Sequence, residues 1–319
     1  MIRNYNIADD AQIAAHKIAG MLAPGAKTFY VGTAGTAAMD AASQVIPQDD
    51  IVTTINKATA LCTADRGDRV IVLPGHVEDL GDTSAAGALD FSVAGVTYVA
   101  LGKGTLQPRV DFNDEDSDCL VSANNVQIHG VFFQPTVTGV KLGIAIGAAV
   151  TGTVINGNRM VAETSGTDEF IVSINVLAGC DDTVITNNFI DNGLGAHATN
   201  GVLFVGASTG CRVEDNEIVG DYSDSNVGNN TTLLTSYRIL NNLLVNGNAN
   251  ALNAVACIVI VTNSLGIIAK NTMFADVATH LLICTADTCL YADNDCSDDS
   301  GSGSTTAKVS ATVVASTDA

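Results

Sequence analysis

Six asparagines recur in one local frame along the chain, and this repeat constrains the fold more than any other feature. Asn158, Asn188, Asn216, Asn242, Asn271 and Asn294 each stand three residues after Ile155, Ile185, Val213, Ile239, Ile268 or Tyr291. Each also stands two residues before Met160, Ile190, Ile218, Leu244, Met273 or Cys296. The steps between them are 30, 28, 26, 29 and 23 residues. At 47% apolar residues, twelve apolar flanks arise by chance about once in ten thousand trials, so the recurrence reads as a structural repeat. Val131, between Ile128 and Phe133, extends the frame one step earlier with an apolar residue in place of asparagine.

A period of this length without helical periodicity suits one coil of a parallel β-helix, in which every turn adds a short strand to each of several sheets. Successive coils then stack at the strand spacing of about 4.8 Å. The bend after each Ile-x-x strand needs a residue that tolerates the left-handed conformation, and asparagine does so while hydrogen-bonding locally. Stacked asparagines can also pair their amides along the axis. A leucine-rich repeat would show Leu-x-x-Leu-x-Leu, which is absent.

Around this array the chain divides into three parts. Residues 1–26 read as an N-terminal arm with a short helix from Asp9 to Leu22, ended by Ala23-Pro24-Gly25. Residues 27–296 are the β-helix, which includes near 50–64 a helix starting at Asp49 or Asp50, with Ile51, Ile55, Ala58 and Leu61 on one face. Such a helix would cover the open end of the stack and protect its edge. Residues 297–319, rich in Ser, Gly and Asp, read as a flexible linker and C-terminal tail.

Net charge is −20, with 14 Lys and Arg against 34 Asp and Glu. That excludes binding to nucleic acid or an anionic membrane through clustered basic residues. Absence of Trp and 5% aromatics argue against aromatic sugar platforms. The start lacks the uninterrupted apolar core of a secretory signal, which suggests synthesis and folding in a cytoplasm. Of the eight cysteines, Cys180, Cys211, Cys257, Cys284 and Cys289 lie in or beside apolar strands and read as buried thiols, with Cys257 and Cys284 expected as neighbours one coil apart.

The segment Gly67-Asp68-Arg69-Val70-Ile71-Val72-Leu73-Pro74-Gly75, following the Tyr30-Val31 strand and a helix and leading into Ile/Val-rich coils, resembles the opening of pectate-lyase-like proteins. That superfamily includes phage tailspikes and related virion proteins. The resemblance implies an all-β, single-stranded right-handed parallel β-helix. It leaves function open, since the superfamily holds lyases, hydrolases and non-enzymatic structural proteins.

Along each coil the residues flanking the asparagine alternate in and out. A second set of strands is apolar at consecutive positions: Phe170-Ile171-Val172, Val202-Leu203-Phe204-Val205, Cys257 to Val261, and Leu281 to Cys284. Strands apolar on both faces are expected to be buried on both faces. Ile171, Leu203, Val205, Ile258, Ile260 and Leu282 are therefore the expected subunit interface of a homotrimer, an arrangement common in the phage proteins the chain resembles.

Candidate chemistry is sparse. Arg212 and Arg238 share one frame position on neighbouring coils with Glu214 nearby, which suits either a salt-bridge ladder or an anionic ligand such as a uronic acid. Loop acids, among them Glu163, Asp168, Glu169, Asp182, Asp191, Asp221, Asp224 and Asp276, could serve a glycosidase pair or loosely held Ca2+, the one cofactor they would suit. For a depolymerase the candidate catalytic set is Asp182, Asp221, Arg212 and Arg238. Gly206-Ala207-Ser208-Thr209-Gly210 matches a nucleophile elbow in letters but joins two strands instead of opening a helix. Asp111-Phe112-Asn113-Asp114-Glu115-Asp116 begins like a calcium loop without its later residues. The favoured expectation is a non-enzymatic virion protein, made in a host cytoplasm, decorating a capsid or forming a tail appendage and contacting a capsid or tail protein through residues 1–26. The alternative is a tailspike-type polysaccharide depolymerase.

Overall fold

The computed structural model describes residues 25–81, 88–162, 168–193, 198–229, 233–247, 256–260, 264–275, 282–284 and 289–298. Each coil contributes one strand to each of three parallel sheets. One coil runs Val154–Asn156, Arg159–Val161 and Phe170–Val176; the next runs Val184–Thr186, Phe189–Asp191 and Asn200–Phe204. The first, second and third sheets so formed hold 12, 9 and 8 described strands. Pairing is parallel and in frame, with Ile155 opposite Ile185, Met160 opposite Ile190 and Ile174 opposite Val202. This is the right-handed parallel β-helix expected from the repeat.

Alternation places one apolar column from each sheet inside. Ile128, Ile155, Ile185, Val213, Ile239 and Ile268 line the first sheet, and Phe133, Met160, Ile190, Ile218, Leu244 and Met273 the second. Burial of each such side chain contributes about 1.5–3 kcal/mol relative to exposure.

The ladder asparagines sit at the bend between first and second sheets, buried to within 2% exposure. Each carboxamide bridges coils. Asn188 Nδ2 donates to the Ile155 carbonyl of the coil before (2.9 Å), while its backbone N–H donates to Asn216 Oδ1 of the coil after (2.9 Å). Its Nδ2 also reaches Asn216 Oδ1 at 3.0 Å. The pattern repeats to Asn294, whose Oδ1 accepts from Asn271 N–H at 3.0 Å. At the other end the Val131 N–H donates to Asn158 Oδ1 at 2.9 Å, so the frame begins with a residue that supplies only its backbone.

The left-handed residue is not the ladder asparagine, as the sequence suggested, but its predecessor. Asn187, Asp215, Asn241, Lys270 and Asp293 have φ of 55°, 57°, 57°, 58° and 51°. The bend turns at that residue, leaving the asparagine free to point inward.

At the N-terminal end, α-helix Ile55–Leu61 closes the mouth of the stack. Its cap is Thr54, whose Oγ1 accepts from Lys57 N–H; Asp49 and Asp50, the expected start, form a separate 3-10 turn. Ile55 and Ala58 enter the core, whereas Leu61 is 43% exposed. The Glu78 carboxylate accepts from Ile55 N–H (2.8 Å) and lies 3.2 Å from His76 Nε2, which ties the helix to the coil beneath it. Residues 1–24 and 299–319, which contain most of the expected arm and tail, lie outside the described residues; strand Asp295–Asp298 runs past the expected boundary at 296.

The expected interface on the third sheet needs correction. Ile258 and Ile260 are 0% and 1% exposed and belong to the interior core. Ile174, Val202, Val227 and Ile258 turn inward, and the alternating row outside reads Leu120, Ala145, Asn175, Leu203, Gly228, Val259, apolar except at Asn175 and Gly228. Leu203 is 9% exposed, Ile171 is partly exposed and Val205 is exposed, while the side chain of Leu282 lies outside the described residues. Outward apolar side chains also line the second sheet, at Phe132, Val161, Phe189, Val219, Leu243 and Phe274, and the first sheet exposes Leu265 and Leu290. Cys284 pairs in register with Ile260, so it is not the neighbour of Cys257 that the coil spacing suggested.

Asn216→Ala strands the Asn188 N–H and the Ile185 carbonyl in the interior, and should lower unfolding free energy in urea titration by about 3 kcal/mol. Lys270→Gly relieves a left-handed backbone and should raise stability by about 1 kcal/mol in the same assay.

Candidate functional site

The candidate catalytic residues fall in three places on the coil. Asp182 lies where the third sheet passes to the first, Arg212 and Arg238 lie in first-sheet strands Arg212–Glu214 and Leu234–Leu240, and Asp221 lies where the second sheet passes to the third.

At the first corner the acids build the turn. Asp181 accepts from Thr209 N–H of the next coil (2.7 Å), and Asp182, at φ 56°, donates its N–H to the Thr209 carbonyl (2.8 Å). Two coils earlier Asn124 accepts from Thr151 N–H in the same way (2.9 Å), with Asn125 at φ 58°. An amide therefore fills the Asp182 position elsewhere in the stack. A Cβ at Gly210 would lie 2.4 Å from Asp182 Oδ1, which explains the glycine above it. Ser208 of the elbow-like motif is 3% exposed in strand Ser208–Thr209, and the next element is strand Arg212–Glu214, so the motif is a strand-to-strand turn.

Arg212 stands directly opposite Arg238 in register, both exposed. Among the described residues neither forms an ion pair, and Glu214 stands opposite Leu240. The expected salt-bridge ladder does not form there. At the other corner Asp221 donates its N–H to the Gly193 carbonyl (3.1 Å), and Asp224 accepts from Asn200 Nδ2 (3.2 Å). Asp168 accepts from Thr138 Oγ1 at 3.2 Å. Glu163 and Asp276 lie outside the described residues, as do His16, His197 and His280.

The calcium-like run is engaged internally. Asp111 pairs with Arg109 (2.6 Å), Asp114 accepts from Asp116 N–H (2.8 Å), and Asp116 pairs with Lys141. Among the described residues no three His, Cys, Asp or Glu side chains converge as metal ligands, and no helix is long and apolar enough to cross a membrane. Six described cysteines are free, and burial pushes the Cys211 thiol up to about 12.

The outer face of the first sheet carries a polar chain that the sequence reading missed. Asn187 Nδ2 donates to Asn156 Oδ1 (3.1 Å), and Asn156 Nδ2 donates to His129 Nδ1 (3.0 Å). The ring proton is thereby placed on Nε2, facing Gln127 Oε1 at 3.3 Å. Burial lowers the His129 pKa. Asn192 and Asn246 were also missed; each clamps the backbone of one residue by both carboxamide atoms, Phe170 at the start of a strand and Tyr222 in a connection. Both stand four residues after a ladder asparagine, a spacing that the primary frame overshadowed.

No family model matches the chain, and no curated protein does. Solved structures do. A rhamnogalacturonan lyase superposes with a TM-score of 0.54 at 14% identity, over 85% of this chain and 74% of that one. Pectate lyase Pel9A gives 0.45 at 12% identity, over 86% and 77%. PfbA, a surface adhesin of Streptococcus pneumoniae, gives 0.32 at 11% identity, over 82% and 85%. The likeness to the rhamnogalacturonan lyase shows the fold, a right-handed parallel β-helix.

Because the folded state favours neutral His129, its contribution to stability is complete above the ordinary value of 6.5 and declines as pH falls through the lowered pKa. His129→Gln should flatten the acid side of a plot of thermal midpoint against pH below 6.5, leaving the alkaline side unchanged.

Proposed function

We propose that the chain is a non-enzymatic structural protein of a virion, a β-helical shaft that decorates a capsid or forms a tail appendage, is held there through residues 1–26, and works as a homo-oligomer. The observation that carries this reading is the second sheet, whose outward side keeps Phe132, Phe189, Leu243 and Phe274 partly or fully exposed along successive coils. An apolar strip of this kind on a soluble protein marks a surface that meets a partner. The turn-building role of Asp182 and the separate corner of Asp221 supply a second line of support.

A second reading, a depolymerase acting on acidic polysaccharide, draws on Arg212 and Arg238. Two exposed guanidiniums on adjacent strands about 4.8 Å apart repel until an anion lies between them.

The two readings part in one assay. Purified protein incubated with anionic and neutral polysaccharides should release no new chain ends, and immunogold labelling should place the chain on the outside of particles from cells that make it. Cleavage lost in Asp182→Ala or Asp221→Ala would overturn the structural reading.

A further inference from the structure

The second sheet's outer face carries its charges in a particular order. Successive register positions read Arg109, Phe132, Arg159, Phe189, Glu217, Leu243, Thr272. Arg159 is held between two rings, its guanidinium 5.1 Å from the Phe132 centroid and 5.6 Å from that of Phe189. Stacking fixes the guanidinium plane but leaves its N–H edges for a planar anion. Among the described residues neither Arg159 nor Glu217 forms an ion pair. They stand two coils apart, about 10 Å by the strand spacing, with Phe189 between them.

We infer that this face is the site at which a second copy of the chain binds, antiparallel, about a two-fold axis at strand Phe189–Asp191. The order of residues is self-complementary for two coils on either side of Phe189, beyond which Arg109 would face Thr272. Reversal of the axis sets Arg159 of each copy against Glu217 of the other, Phe132 against Leu243, Val161 against Val219, and Phe189 against itself. Arg109 drops out of this exchange because its own Asp111 already neutralises it. Each Arg–Glu pair would form twice and lie beside apolar contacts, the mix of aromatic and arginine side chains that interfaces favour.

Parallel three-fold packing on the same face, the trimer expected from the sequence, would bring Arg159 to Arg159 and Glu217 to Glu217 at equal heights, which is repulsive. The two-fold arrangement leaves one like-charge meeting, Asp191 with its symmetry mate. That meeting gives the arrangement a signature of its own.

This pairing deepens the assembly reading above but does not depend on a virion being the place of assembly. Sedimentation velocity of the full chain across a concentration series tests it. The expected result is a reversible dimer. Arg159→Glu and Glu217→Arg should each weaken it by about ten-fold or more, with weaker effects at high salt, and combining both changes should restore it. Asp191→Asn should tighten it. Circular dichroism of each variant checks that the coils still form. A monomer at all concentrations would mean that the strip is covered by the chain's own end segments or by another protein, and would overturn the inference. So would a trimer, or a double variant no better than the single ones. Particle labelling by antibody with a monomeric mass would remove the pairing while leaving the structural function standing.

Discussion

Each turn of this molecule is tied to the one before it by a primary carboxamide that engages both an N–H and a carbonyl of that earlier turn's backbone. A coil of short strands has no local reason to hold its corners in line, because strands such as Val184–Thr186 offer few ladder hydrogen bonds each. The buried asparagine supplies what the strands lack: Asn216, for one, accepts from the Asn188 N–H and donates to the Ile185 carbonyl of the preceding coil. Inside the apolar core that amide is satisfied only when coils are stacked in frame, so a slip by one residue would bury polar groups without partners. Register along the stack thus follows from hydrogen-bond satisfaction as well as from hydrophobic alternation.

A shaft built in this way has outward faces with separate characters. Sheet one presents amides, a histidine and two arginines among aliphatic groups such as Val154, Val184 and Leu290; sheet three breaks an aliphatic row at Asn175 and Gly228; sheet two presents aromatic and aliphatic groups interrupted by ordered charges. The core columns are interchangeable between coils, and the outer rows are where the chain differs from a featureless solenoid. A lateral contact is the functional use that such a face suits best, whichever assembly carries it.

Much of the fold was legible because the asparagine frame reports both the coil length and the inward positions on either side of it. Val131 could be placed in the frame though its side chain takes no part in the hydrogen bonds. What the frame hides is the bend itself: the left-handed residue is Gly157, Asn187, Asp215 or Lys270 in different coils, with no common chemistry to announce it. The outer surface was misread for a related reason. Consecutive apolar residues in Val202-Leu203-Phe204 look two-faced in one dimension, yet the outside of a solenoid sheet is a row across coils, and Leu203 has Asn175 and Gly228 as its neighbours there. The apolar row on sheet two escaped notice since each member stands next to an inward core residue, as in Phe132-Phe133 and Met273-Phe274. Candidate acids suffered likewise, as Asp182 gains its meaning only next to Gly210 and in parallel with Asn125.

The claim that side-chain amides lock the coil stack is most directly tested by site-resolved hydrogen exchange at the backbone N–H groups of Asn188, Asn216 and Asn242. These lie at bends, where exchange is ordinarily fast, yet each donates to a buried carboxamide oxygen at 2.9 to 3.0 Å. The account predicts that they exchange as slowly as the core strand amides of Ile185 and Val213, through global opening alone. Exchange at the rate of exposed turn amides would contradict it.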